Sequence, residues 1–180
     1  MNGISLSLQD IRNEDRPRVG GKGFALSILT RGGLRVPPAL CITPEAYLEF
    51  ISATGVRETI LLELGRKAFE DMRWEEIWDT SLRIRNAFLN APLPQSLRDK
   101  LIPPLEAMFF GKDVAVRSSA PGEDSAKTSF AGLHESYIHI RGTDSILEHI
   151  RLVWVRCGPT GLSCTARNWG WTSKRVPWRS

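Results

Sequence analysis

Long apolar runs are missing from this 180-residue chain. No stretch reaches the roughly 18 consecutive apolar residues that read as a spanning helix. Nor does an apolar segment follow Met1, as a secretory leader would require. Neither a membrane span nor a signal peptide is expected, and a cytoplasmic protein is. Cysteine is scarce as well. Cys41, Cys157 and Cys164 are odd in number and form no C-x-x-C pair, which argues against a disulfide framework or a structural zinc site and predicts reduced thiols. The three histidines, His134, His139 and His149, share no metal-ligand spacing. His139 alternates with apolar neighbours on a strand and is expected to be a satisfied structural histidine. No Ser-His-Asp arrangement suggests itself.

Acid is lacking from one end. From Arg156 onward the chain has five basic residues and no Asp or Glu. The 24 basic residues therefore leave 19 for residues 1–155, against all 20 acids, a net charge of −1 there. The overall charge of +4 thus belongs to the tail and is no argument for nucleic acid as the partner of the rest. That tail also holds three of the six tryptophans, Trp169, Trp171 and Trp178, and shows no helical or alternating apolar period.

What is present before the tail alternates between helical and strand patterns, the signature of an α/β or α+β fold in one ordinary domain or two small lobes. After the glycines of "VGGKGFALSILTRGG", Phe24, Leu26, Ile28 and Leu29 predict a short helix that Gly32 and Gly33 end. Val36, Pro37 and Pro38 enforce an extended exit, Leu40 to Ile42 reads as a strand, and Thr43 with Pro44 starts a helix to about Ser52. Further on, Trp74, Ile77, Trp78, Leu82, Ile84 and Phe88 keep roughly helical spacing and are expected to pack a core. A following helix is expected to be interrupted at Pro103 and Pro104. Asp113 to Val116 and Glu135 to Arg141 read as strands, and Thr143 caps a helix with Ile146, Ile150 and Val153 on one face.

Chemistry concentrates in two places. Lys22 stands in Gly20-Gly21-Lys22-Gly23 at a helix start, where backbone N–H groups and the positive dipole end favour an anion. The spacing is not that of a P-loop, and a solvated lysine in a flexible turn explains the same residues. The second place is "VAVRSSAPGEDSAKTSFAGLHESY", residues 114–137, where an arginine, hydroxyls and a small-residue turn lie between two strands. An arginine fork, hydroxyl donors and unobstructed backbone N–H groups suit a polyphosphate. Arg117 closes a strand expected to be buried, so it needs an anion or a paired carboxylate, and Glu123 and Asp124 offer the second alternative. Ser129 to Gly132 resembles a mobile flap over a ligand, and an ordinary hairpin turn accounts for it nearly as well.

Taken together in this order and spacing, "VGGKG", "GLRVPPALCIT" and "VAVRSSAPGEDSAKTSFAGLHESY" resemble the nucleotide-binding N-terminal region shared by phosphoenolpyruvate synthase, pyruvate phosphate dikinase and rifampicin phosphotransferase. The likeness runs from about Val19 to Trp154. It implies the first part of an ATP-grasp domain, in an enzyme that passes a phosphoryl group from ATP to a histidine on a separate swivelling domain and then to pyruvate or another acceptor. By that resemblance Lys22 and Arg117 are phosphate-contacting cations. Ser129, Phe130, Ala131 and Gly132 form the loop over the ATP phosphates, and Ser118 and Ser119 adjoin it. Gly20, Gly21, Gly23, Glu123, Asp124 and Glu135 play supporting parts. ATP is the implied ligand, with Mg2+ as its counter-ion, but the family's magnesium-binding acid and glutamine, its phosphohistidine and its acceptor domain have no counterpart here. No nucleic acid or membrane partner is implied.

These departures predict a partial ATP-binding domain over residues 1–155, inactive alone, followed by a non-homologous tail over residues 156–180. A one-base deletion after Trp154 accounts for the tail. Joining each codon's third base to the next codon's first two forces Leu at Asn168–Trp169, Gly at Trp169–Gly170 and Asp at Trp171–Thr172. The restored frame can then read as the family's continuation, and the tail is expected to be poorly packed. Two other classes of function fit parts of the chain: a standalone nucleotide-binding or regulatory module without catalysis, and a nucleic-acid-binding protein using the basic, tryptophan-bearing tail. The phosphoryl acceptor and the oligomeric state are not written in this sequence.

Overall fold

Leucines at positions 97, 101 and 105 fall on one helical face, and each is buried against the same apolar mass. This repeat of four residues recurs through the chain and builds the fold. A computed structural model describes residues 3–119 and 136–157. In chain order these form β1 (Ser5–Ser7), α1 (Arg16–Arg31), β2 (Leu40–Ile42), α2 (Pro44–Ala53), α3 (Val56–Gly65), α4 (Trp74–Asn90), α5 (Gln95–Phe109), β3 (Val114–Arg117), β4 (Ser136–Ile140) and α6 (Thr143–Cys157). The fold is mixed α/β, as the alternating patterns predict. Among the described residues the strands form two antiparallel pairs, β1 with β2 and β3 with β4.

The main core gathers α2, α3, α4, α5 and α6 around Phe50, Ile84, Phe88, Leu97, Leu101, Ile150 and Trp154. Its centre is aromatic. The Phe88 ring stacks on Phe50 and Tyr47 at centroid distances of 5.8 and 6.1 Å, and Trp154 meets Phe50 at 5.4 Å. Offset and tilted ring pairs of this kind stabilise by about 0.5–1.5 kcal/mol beyond the area they bury. A smaller cluster of Leu8, Ile11 and Val19, with Phe24 and Cys41 packed on it, lies under α1. Polar joints tie the helices. Glu63 of α3 is buried between Arg66 and Arg83, at 3.0 and 2.7 Å. Arg151 of α6 donates to the carbonyl oxygens of Leu89 and Ala91, closing the C-terminal end of α4. Among the described residues no helix is long and apolar enough to cross a membrane.

Several expectations change. The apolar residues of α4 form two stripes, not one. Thr80, Ile84 and Phe88 are buried, while Trp74, Trp78 and Leu82 are 67%, 62% and 47% exposed. At about 100° per residue the two stripes lie roughly 120° apart, too wide for one core-facing side. Pro103 and Pro104 do not interrupt α5, which runs through both. They withhold N–H groups from the preceding turn, but the buried Leu101 and Leu105 hold the helix to the core on either side. His139 is exposed and sits at positive φ (58°) in a bulge, where Val114 pairs with Ile140 and Val116 with Tyr137. Two residues of β4 thus oppose one of β3, and His139 takes the left-handed conformation of the extra residue rather than a place in the core. The tail beyond residue 157 lies outside the described residues.

Candidate functional site

The glycines around Lys22 stand where one helical segment ends and a second begins, within the span of α1. α1 begins at Arg16 with Pro17 in its first turn and is broken at Gly20, whose φ of 69° and ψ of 174° are not helical. A side chain is strongly disfavoured at those angles. It is also excluded by contact, because a Cβ on Gly20 would stand 1.9 Å from the carbonyl oxygen of Ser119. The end of β3 therefore presses directly against the break in α1.

This contact brings together the two places where the sequence concentrates its chemistry. Lys22 comes two residues after Gly20, and Arg117 comes two residues before Ser119, so both cations flank the crossing. Both are exposed. The exposure of Arg117 corrects the expectation of a buried strand end: β3 alternates half-buried and exposed positions, and Arg117 falls on the outer face. A guanidinium in water costs little by itself, so the argument that burial forces it to find an anion falls away. Its side chain makes no ion pair with any described residue, and Glu123 and Asp124, the alternative partners, lie outside the described residues.

Ser118 is buried at 6% exposure. The Ser119 hydroxyl accepts from the N–H of Gly23 at 3.2 Å and donates to the carbonyl of Val19 at 2.8 Å. Gly21 is exposed, and Gly23 is buried over Cys41, where an added Cβ would come within 2.9 Å of the sulfur. Burial pushes the Cys41 thiol above its ordinary range. The remaining residues singled out by sequence, Ser129, Phe130, Ala131, Gly132 and Glu135, lie outside the described residues with Glu123 and Asp124.

One residue that the sequence reading missed anchors the near side of the break. Arg18 pairs with Asp15 at 2.9 Å and with Glu45 of α2 at 3.0 Å, and donates to the carbonyl of Gly3 at 2.9 Å. These bonds join the first turn of α1 to the residues leading into β1 and to α2, and the bond to Glu45 raises the pKa of the guanidinium further. An Asp three residues ahead of an Arg was its sole sequence signal.

Away from this crossing, a cavity of about 210 Å³ is lined by Leu93, Arg98, Asp144, Leu147, Glu148 and Arg151. Its arginines are committed, Arg98 to Asp144 and Arg151 to main-chain carbonyls, so it offers an anion little. Among the described residues no cluster of three or more His, Cys, Asp or Glu side chains is placed to hold a metal ion. What the crossing offers is positive: two exposed cations, a glycine break that lets main chain approach closely, and the start of a helix segment. Those features suit a multiply charged anion.

Comparison with known proteins gives the same region an ancestry. Residues 16–157 match the family model described as pyruvate phosphate dikinase, AMP/ATP-binding domain. The phosphoenolpyruvate synthase of Aeropyrum pernix is 34% identical over 156 residues, covering 84% of this chain and 19% of the relative. A probable phosphoenolpyruvate synthase of Methanocaldococcus jannaschii is also 34% identical, over 80% of this chain and 12% of its own length. The rifampicin phosphotransferase of Bacillus subtilis is 32% identical over 86% of this chain and 18% of its own length. The chain thus spans less than a fifth of each of these relatives. The match takes in the broken helix with Lys22, the β3 end with Arg117 and Ser119, and the core helices that carry them, and the chain belongs to the pyruvate phosphate dikinase AMP/ATP-binding domain family.

Proposed function

We propose that the crossing of α1 and β3 receives the polyphosphate of ATP, with Lys22 and Arg117 as its cationic contacts. The observation that carries this reading is the pressing of Ser119 onto Gly20, which brings the stretch that carries Arg117 against the stretch that carries Lys22. A lysine supplies a mobile point charge, and an arginine supplies a planar fork that can take two phosphate oxygens at once. Phosphoryl transfer needs little else from a protein than positioned donors and cations around the charge that develops, with Mg2+ sharing the neutralisation. Ser118, Ser129, Phe130, Ala131, Gly132 and the supporting Glu123, Asp124 and Glu135 complete the site in this reading.

The chain is then the ATP-binding portion of a phosphotransferase resembling phosphoenolpyruvate synthase. The reaction of such a parent makes phosphoenolpyruvate, AMP and phosphate from ATP, pyruvate and water, through a phosphohistidine on a separate domain. Residues 1–155 form the evolved part. Residues 156–180 are the product of a shifted reading frame, a reading supported by the family match stopping at residue 157. DNA sequence from the codons for Trp154 and Val155 to beyond Ser180 tests it: a long shifted frame encoding the rest of an ATP-grasp domain is expected, and the absence of such a frame removes the idea.

The 180-residue chain is expected to bind ATP and to show no pyruvate-dependent ATP consumption. Titration calorimetry with ATP and Mg2+ should give one site, weakened about tenfold or more in Lys22→Ala and in Arg117→Ala, the size of one charge-assisted phosphate contact. Unchanged affinity in both variants would place the nucleotide elsewhere. Steady turnover that Lys22→Ala abolishes would overturn the claim of inactivity.

A further inference from the structure

We infer that Ser119 is a positioning residue for this nucleotide site, its hydroxyl replacing the hydrogen bond that α1 loses at Gly20. In an unbroken helix the N–H of Gly23 would donate to the carbonyl of Val19, four residues back. The conformation of Gly20 opens that bond. The Ser119 hydroxyl sits in the gap and satisfies both ends, accepting from Gly23 at 3.2 Å and donating to Val19 at 2.8 Å. A side chain inserted into the helical ladder is a known cause of a sharp kink, and here the inserted group comes from a strand end 100 residues away in sequence.

Two consequences follow from the hydroxyl's chemistry. A serine has one proton to donate, and Val19 takes it, so Ser119, which the family resemblance sets beside the phosphate loop, serves the site by holding the helix break. The splice also fixes Lys22, which lies between Gly20 and Gly23, relative to Arg117, two residues from Ser119. The main chain that carries the two cations does not have to be ordered when an anion arrives, which lowers the cost of binding. This inference rests on the nucleotide reading above for its function, while the splice itself does not.

Amide hydrogen exchange and ATP titration on the full 180-residue chain separate the two. In the unaltered protein the Gly23 amide is expected to be protected; rapid exchange there overturns the splice, whether or not any variant folds. Ser119→Ala should speed exchange at Gly23 by roughly tenfold, the net effect of one hydrogen bond. It should also weaken ATP binding by a similar factor, and the losses in Ser119→Ala and Lys22→Ala should fall short of additive in the double variant. Unchanged exchange in Ser119→Ala, or fully additive losses, overturns the positioning role. Faster exchange in Ser119→Ala, with no ATP binding by the unaltered chain, keeps the splice and removes the nucleotide reading.

Discussion

Substituting Gly20 by alanine tests the crossing directly. Two costs add at this position. The backbone angles, φ of 69° and ψ of 174°, belong to a region that side chains essentially avoid, at about 1–3 kcal/mol. The new methyl would also stand 1.9 Å from the Ser119 carbonyl oxygen and 2.8 Å from its hydroxyl, so the end of β3 must move, at about 1–3 kcal/mol more. A combined loss near 4 kcal/mol lowers the melting temperature of a domain this size by roughly 8–16 °C. Gly33→Ala is the matched comparison. Its φ is 77°, but nothing lies within 4 Å of the added Cβ, so backbone strain acts alone, at about 1–2 kcal/mol. Differential scanning calorimetry of the two variants gives the difference. Equal losses would mean that the approach of Ser119 does not dictate glycine at position 20, and the account of the site would fail with it.

Other outcomes follow from the packing. Phe88→Ala should cost about 3–5 kcal/mol in urea denaturation, because its ring is fully buried between Phe50 and Tyr47. Trp78→Ala, ten residues earlier on the same helix, should cost no more than about 1 kcal/mol, and similar losses would contradict the two-stripe description of α4. The Glu49 carboxyl is held below its ordinary value of 4.5 by the hydrogen bond from Lys100, against burial and with help from Ser96. The unfolded chain then binds that proton more readily, so the stabilisation is complete above pH 4.5 and is lost as pH falls through the lowered folded value. Urea midpoints should decline over that acid range, and Lys100→Met should flatten the decline; an unaltered profile would show that the pair contributes nothing.

Much of the fold was legible because local signals agreed with the tertiary outcome. Leu40 to Ile42, between prolines and a Thr-Pro helix start, forms the expected strand β2, and α2 runs one residue past its expected end. Ile146 and Ile150 of α6 are buried as their spacing predicts. Failures arose where the deciding partner is distant in sequence. The three residues of β1 carry no pattern of their own and become a strand only by pairing with β2. Periodicity could not divide the aromatic residues of α4, since it fixes their spacing and not which side the rest of the molecule covers. The prolines of α5 read as a break because their local cost is visible in sequence while the compensating burial of Leu101 and Leu105 is not. At the site, the types and order of Lys22, Arg117 and the serines were readable. That Gly20 breaks a helix for Ser119 to mend was not, because nothing near Gly20 announces a residue arriving from β3.

The long separation between the halves of that splice bears on how the protein acquires its shape during synthesis. Gly20 and its neighbours leave the ribosome early, but the group that completes their geometry is made 100 residues later. Closing a loop of that length costs on the order of 4 kcal/mol in chain entropy, which one hydroxyl cannot offset. The intervening helices must therefore collapse on one another first. The turn that carries Lys22 takes its final form last, so an emerging chain cannot hold the arrangement proposed for nucleotide until its hydrophobic centre is already built.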